Sequence, residues 1–100
     1  MATLNLRFAP RARRQLNDIL KFIALDNVDA AVRIAQHVEK LMNHTTSFSE
    51  MGRIVFDGLP HREVMAYPCR IIYRISTETI WVVAVLRIEQ LLRLEMLTDH

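Results

Sequence analysis

Arg70-Ile71-Ile72-Tyr73-Arg74-Ile75 and Ile80-Trp81-Val82-Val83-Ala84-Val85-Leu86-Arg87, separated by Ser76-Thr77-Glu78-Thr79, decide how this chain folds. Both runs are rich in β-branched and aromatic residues, which pack well on a pleated surface and poorly in a helix. Joined by a short polar break, they predict an antiparallel hairpin. Ile80 to Leu86 is apolar without interruption, as expected of a strand covered on both faces and interior to its sheet. The first run alternates. Arg70, Ile72 and Arg74 share one side, and Ile71, Tyr73 and Ile75 the other. A strand that buries aliphatics on one side and carries two arginines on the other predicts a binding face.

Working back from the hairpin, Arg53–Phe56 and His61–Tyr67 read as two further strands, separated by the turn signal Asp57-Gly58. Upstream of these, two periodic apolar sets predict helices. Ala12, Leu16, Ile19, Leu20 and Ile23 follow Pro10, which is well placed in a first helical turn. Ala31, Ile34, Ala35, Val38, Leu41 and Met42 form the second set, expected to fade by Thr45-Thr46-Ser47 as side-chain oxygens compete for the backbone. Only Asp26-Asn27 breaks the two sets apart, and either residue can cap the second helix. So short a connection predicts an antiparallel αα-hairpin. At the N-terminus, Leu4, Leu6 and Phe8 alternate with polar residues, and Thr3–Phe8 reads as a strand. At the other end, Ile88, Leu91, Leu92 and Glu95 sit at helical spacing and predict a short terminal helix over Ile88–Leu97. Its apolar character calls for cover, from its own sheet or from another chain.

The expected fold is α+β, in the order β-α-α-β-β-β-β with a short C-terminal helix. The two-helix hairpin packs on a mainly antiparallel β-sheet. One hundred residues, half of them apolar, make a single domain spanning 1–100 with one modest core. No apolar run approaches the ~18 residues of a membrane span, and no signal-type segment follows the N-terminal arginines, so a cytoplasmic protein without a membrane partner is expected. The lone Cys69 excludes an internal disulfide framework and fits a reducing compartment. Thirteen cations against eleven anions leave a net charge of +2, too small to specify a partner. All the cations but Lys21 and Lys40 are arginines, the residue suited to forked contacts with carboxylate or phosphate.

Several residues invite sharper readings. Arg53, Arg62, Arg70, Arg74 and Arg87 are candidates for one electropositive contact surface; the bland account is solvated arginines paired with Glu63 and Glu78. Trp81 and Tyr73 read as core residues, Tyr73 with its hydroxyl bonded at the rim. His37 and His44 lie two helical turns apart, too far to share a metal, so no metal site is expected. No glycine-rich phosphate loop or cofactor fingerprint is present, and no cofactor is expected. The charges of the first helix, Arg11, Arg13, Arg14 and Lys21 against Asp18, are suited to steering an acidic partner, or simply solvate that face.

Taken in order, Phe8-Ala9-Pro10, Ala12 and Leu16, Asp26-Asn27-Val28-Asp29-Ala30-Ala31, Gly52-Arg53, Arg62-Glu63 and the stretch from Tyr67 through Tyr73-Arg74 resemble the RelE/ParE toxin superfamily over nearly the whole chain. The resemblance implies a small type II toxin held by a co-encoded antitoxin whose extended segment wraps it. It also implies a hetero-oligomer that meets operator DNA only through the antitoxin. ParE-like members poison DNA gyrase; RelE-like members cut mRNA on the ribosome. RelE-like nucleases carry a Lys, Arg and Tyr or His cluster near the C-terminus. Here no lysine follows Lys40, no tyrosine follows Tyr73, and Arg87-Ile88-Glu89-Gln90 stands where the family often has a histidine and paired arginines. Arginine is a poor general acid or base. The resemblance therefore implies the ParE-like branch: a gyrase-binding toxin, with no catalytic residue assigned, neutralised by a ParD-like antitoxin. Leu16, Leu20, Ile34, Val38, Leu91 and Leu92 are the candidate antitoxin contacts. The runner-up is an mRNA endonuclease using Arg53, Arg62, Arg74 and Arg87 on phosphate, and a third reading is a degenerate, inactive relative.

Overall fold

A computed structural model describes residues 3–97. The chain runs β1 (Asn5–Phe8), α1 (Pro10–Asp26), α2 (Val28–Ser47), β2 (Arg53–Ile54), β3 (Arg62–Ala66), β4 (Cys69–Ser76) and β5 (Thr79–Arg87), then a 3₁₀ turn at Leu94–Leu97. The five strands form one sheet in the order β1-β5-β4-β3-β2, with β1 parallel to β5 and every other pairing antiparallel. The expected α+β order and the αα-hairpin are present. The first strand, whose place periodicity left open, lies at the edge beside β5.

Asn27 separates the helices and serves both. Its N–H donates to the Ile23 carbonyl at the end of α1, and its side chain accepts from the Ala30 N–H at 3.0 Å to open α2. α2 ends at Ser47, where it was expected to fade, and the two threonines lie in its last turn. Thr45 Oγ1 donates to the Leu41 carbonyl (2.8 Å) and Thr46 Oγ1 to the Asn43 carbonyl (2.6 Å), so the hydroxyls back-bond inside the helix.

Alternation along β4 and β5 builds two cores, one on each sheet face. Toward the helices, Ile71, Tyr73, Ile80, Val82 and Val85 pack against Ala12, Leu16, Ile19, Val38 and Met42. On the far face, Ile72, Val83, Ala84 and Leu86 are covered by Leu97, with Val55, Phe56, Trp81, Leu92 and Met96 around them. A register shift at Ile72/Tyr73 lets Val83 and Ala84 both join that second cluster.

This second cluster changes three expectations. The Ile72 side of β4 is not an open binding face, because the C-terminal tail folds back over it. The strand expected at Arg53–Phe56 is paired only at Arg53–Ile54, since Val55 and Phe56 turn inward to fill the same cluster. The helix expected over Ile88–Leu97 is reduced to the 3₁₀ turn. A continuous helix would put Leu91 and Leu92 on one stripe, whereas burying Leu92, Met96 and Leu97 requires a chain that bends. Leu91 is left 71% exposed.

Candidate target-binding surface

Charge concentrates where β2, β3 and β4 run side by side. Cross-strand pairing sets Glu63 between Arg53 on β2 and Ile72 on β4, with Arg70 two residues from Ile72 on the same face. The Glu63 carboxylate is buried (3% exposed) and bridges two guanidinium groups. Arg70 Nε donates to its Oε2 at 2.7 Å, and Arg53 donates to its Oε1 through Nε (3.1 Å) and Nη2 (3.0 Å). The two arginines differ in their freedom. The Arg70 side chain is 14% exposed, and its Nη1 also donates to the Gln90 carbonyl at 2.6 Å. The Arg53 side chain is 69% exposed. Around the triad lies a cleft of about 610 Å³ lined by Met51, Arg53, Glu63, Val64, Met65, Arg70 and Ile88. Met51, Met65 and Ile88 are exposed there. Such a cleft offers a cation held by a buried carboxylate, rimmed by adaptable apolar side chains.

Arg62 lies opposite Tyr73 in the β3–β4 pairing, on the other face of the sheet from Glu63. Its Nη1 donates to the carbonyls of Glu50 (2.9 Å) and Gly52 (2.8 Å), so it ties down the loop before β2. Tyr73 is buried, as expected, with its hydroxyl donating to the Ser49 carbonyl (2.7 Å) and accepting from the Gly52 N–H (3.1 Å). Burial raises the Tyr73 pKa, while the Gly52 N–H and the Arg62 charge oppose that rise.

The other two candidate arginines lie apart. Arg74 is half-buried opposite Trp81. Arg87, at the end of β5, stacks on Phe22 of α1, with its guanidinium carbon 4.4 Å from the ring centroid. The five arginines therefore do not form one patch: Arg53, Arg70 and Arg74 share the far face, and Arg62 and Arg87 the helix side. Among the candidate antitoxin contacts, Leu16 and Val38 are core residues of the single chain. Leu20, Ile34 and Leu92 are half-buried against the cores, and Leu91 is exposed. The apolar residues that the helical hairpin does present outward are Phe22, Leu25, Val28 and Val32.

The sequence offered Glu63 as a surface partner for arginine and as part of the Arg62-Glu63 pair, not as a buried carboxylate. Its burial comes from the β2 and β4 neighbours, which the sequence does not list beside it. Gly52 stood out in the sequence only as part of the Gly52-Arg53 pair in the family resemblance; its role depends on Tyr73, 21 residues away.

Residues 6–92 match the family described as the ParE toxin of the type II toxin–antitoxin system parDE. Among solved structures, the fold is similar to a chain of the chromosomal ParDE toxin–antitoxin system from P. aeruginosa. The TM-score is 0.71 at 16% identity, covering 87% of this chain and 98% of that one. It is also similar to a chain of the toxin–antitoxin complex RelBE2 from Mycobacterium tuberculosis, with a TM-score of 0.58 at 20% identity, covering 87% and 93% of the two chains. No protein with a curated description matches the sequence.

Proposed function

The chain belongs to the ParE toxin family of type II toxin–antitoxin systems, and from that premise we propose that it acts by binding rather than catalysis. The proposed target is DNA gyrase in the cytoplasm, with a co-encoded ParD-like antitoxin as neutralising partner. The antitoxin also carries the complex to operator DNA. Both structural neighbours come from toxin–antitoxin systems, which supports a hetero-oligomer with such a partner.

The observation that carries the binding reading is the Arg53–Glu63–Arg70 triad. Cleaving a phosphodiester needs a donor or acceptor of protons at the scissile group and cations free to meet the developing charge. The residues lining the cleft include no histidine, lysine or tyrosine, and a buried carboxylate already engages both of its guanidinium groups. A protein surface that supplies an acidic side chain and an apolar knob is the better match. Arg53 and Arg70 are the proposed target contacts, with Arg74 on the same face; Arg62 serves chiefly to hold the loop before β2.

The purified chain added to a gyrase supercoiling reaction is expected to inhibit it or to leave cleaved DNA, and antitoxin should restore activity. Truncated mRNA in a translating extract, with supercoiling unaffected, would overturn the proposal in favour of the endonuclease reading.

A further inference from the structure

β5 runs to Arg87, but β1 pairs with it only as far as Phe8 opposite Val82, because the chain turns into α1 at Pro10. From Val83 to Arg87, β5 has no strand beside it on that side among the described residues. Val82 faces β1, its carbonyl accepting from the Ala9 N–H. Ile72 lies opposite Ala84 and Tyr73 opposite Val82, so Val83 is an extra residue on β5. Past it the alternation is inverted. Ile88 turns its N–H to the β4 side, onto the Pro68 carbonyl, while the N–H groups of Val85 and Arg87 turn outward.

Both outward donors are met by glutamine side chains. Gln15 Oε1, from α1, accepts from the Val85 N–H at 2.8 Å, and Gln90 Oε1 accepts from the Arg87 N–H at 2.7 Å. Each glutamine is held in place. Gln15 precedes Leu16 on a helix that buries Ala12, Leu16 and Ile19. Gln90 donates its own N–H to the Arg87 carbonyl at 3.1 Å, and its carbonyl accepts from Arg70 Nη1 at 2.6 Å. A side-chain amide oxygen thus occupies each position where an added strand would bring a carbonyl.

The strand's own sequence supplies no guard. Val83-Ala84-Val85-Leu86 contains neither proline nor charge, a composition that pairs readily with another copy of itself. Charge in the adjoining cleft, of about 370 Å³, does not repel a copy either. Its walls include Asp18, Arg87 and Glu89, so two copies meeting about a two-fold axis can offer Arg87 to each other's carboxylates.

We propose that Gln15 and Gln90 are latches that close the end of β5 to a second copy of this chain. With both amide oxygens in place, an approaching strand finds the donors already taken. Without them, N–H groups at the spacing of a β-ladder are uncovered, and the chain pairs with itself along Val83–Arg87. The latch concerns self-pairing alone and does not depend on which target or partner the toxin binds.

Hydrogen exchange on the unmodified chain tests the closed state and needs no variant to fold. The Val85 and Arg87 amides are expected to exchange at least about tenfold more slowly than in an unstructured peptide. Methionine has nearly the length of glutamine without its amide oxygen, so Q15M should release the Val85 amide and Q90M the Arg87 amide. In sedimentation at about 0.1 mM, Q15M/Q90M should associate at least about tenfold more tightly than the unmodified chain. Its two released amides should become protected again as concentration rises. Q36M, which puts the same side chain on an exposed position of α2, should leave association unchanged. If Q15M/Q90M fails to fold, Q90M, altered at an exposed residue, carries the same comparison. Fast exchange of both amides in the unmodified chain, unchanged association of the unlatched variant, or equal association of Q36M would each overturn the proposal.

Discussion

The Tyr73 hydroxyl accepts the Gly52 N–H at 3.1 Å, and a Cβ placed on residue 52 would lie 2.7 Å from that same oxygen. The Cβ would also fall 2.9 Å from the Glu63 backbone carbonyl, which cannot rotate aside. Gly52 is required by close approach. Gly52→Ala is therefore predicted to cost about 1–3 kcal/mol through overpacking. Tyr73→Phe strands the Gly52 N–H and the Ser49 carbonyl, for a similar loss of about 1–3 kcal/mol. Urea unfolding of both single variants and the double variant checks this, with strong non-additivity expected because the two residues share one contact.

Glu63 predicts an asymmetry between its two arginines. Arg70→Ala leaves a buried carboxylate with only an exposed partner and is predicted to cost about 3 kcal/mol. Arg53→Ala removes a largely exposed cation and should cost about 0–1 kcal/mol. If Arg53 contacts the target, its alanine variant keeps its thermal midpoint while losing gyrase inhibition. Equal destabilisation by the two substitutions would refute the asymmetry.

Cys69 and Tyr73 predict how stability changes in alkali. Burial pushes the Cys69 thiol above its ordinary 9.0, with Arg87 opposing, and pushes the Tyr73 phenol above 10.0. The folded chain thus keeps protons that the unfolded chain has released. Their contribution is complete below about pH 9 and is lost as pH rises through the native values. Urea midpoints should hold steady from neutrality to about pH 9 and then fall. The C69A/Y73F variant should show a flatter alkaline limb. A thiol reagent should label Cys69 in urea and spare it in the folded chain.

The tail is predicted to be structural cover for the far face. Leu97→Ala should cost about 2–4 kcal/mol through the cavity it leaves beside Ile72 and Leu86. A chain ending at Gln90 should bind a hydrophobic dye and aggregate, as measured by fluorescence and light scattering. A truncated chain that stays monomeric and dye-free would show that Ile72, Val83 and Ala84 do not need the cover.

Thr77, in the β4–β5 turn, has φ +56°, a left-handed conformation unfavourable for a β-branched residue. Thr77→Asn is predicted to stabilise the chain by about 0.5–1 kcal/mol, seen as a rise in thermal midpoint.

The elements of this protein were written locally. Period-two alternation in Arg70–Ile75 and unbroken apolarity in Ile80–Leu86 specify a hairpin with a covered second strand. Two helical stripes broken only at Asp26-Asn27 specify antiparallel helices, because side-chain direction follows backbone period over a few residues. What the far ends of the chain do to one another was not written there. That β1 lies at an edge, that the tail closes over Ile72, that Glu63 is buried between Arg53 and Arg70, and that Gln15 caps Val85 all depend on which elements become neighbours. Strand order is settled by how two opposed apolar faces can both be covered in one small volume, a condition on the whole chain that no short window of residues contains.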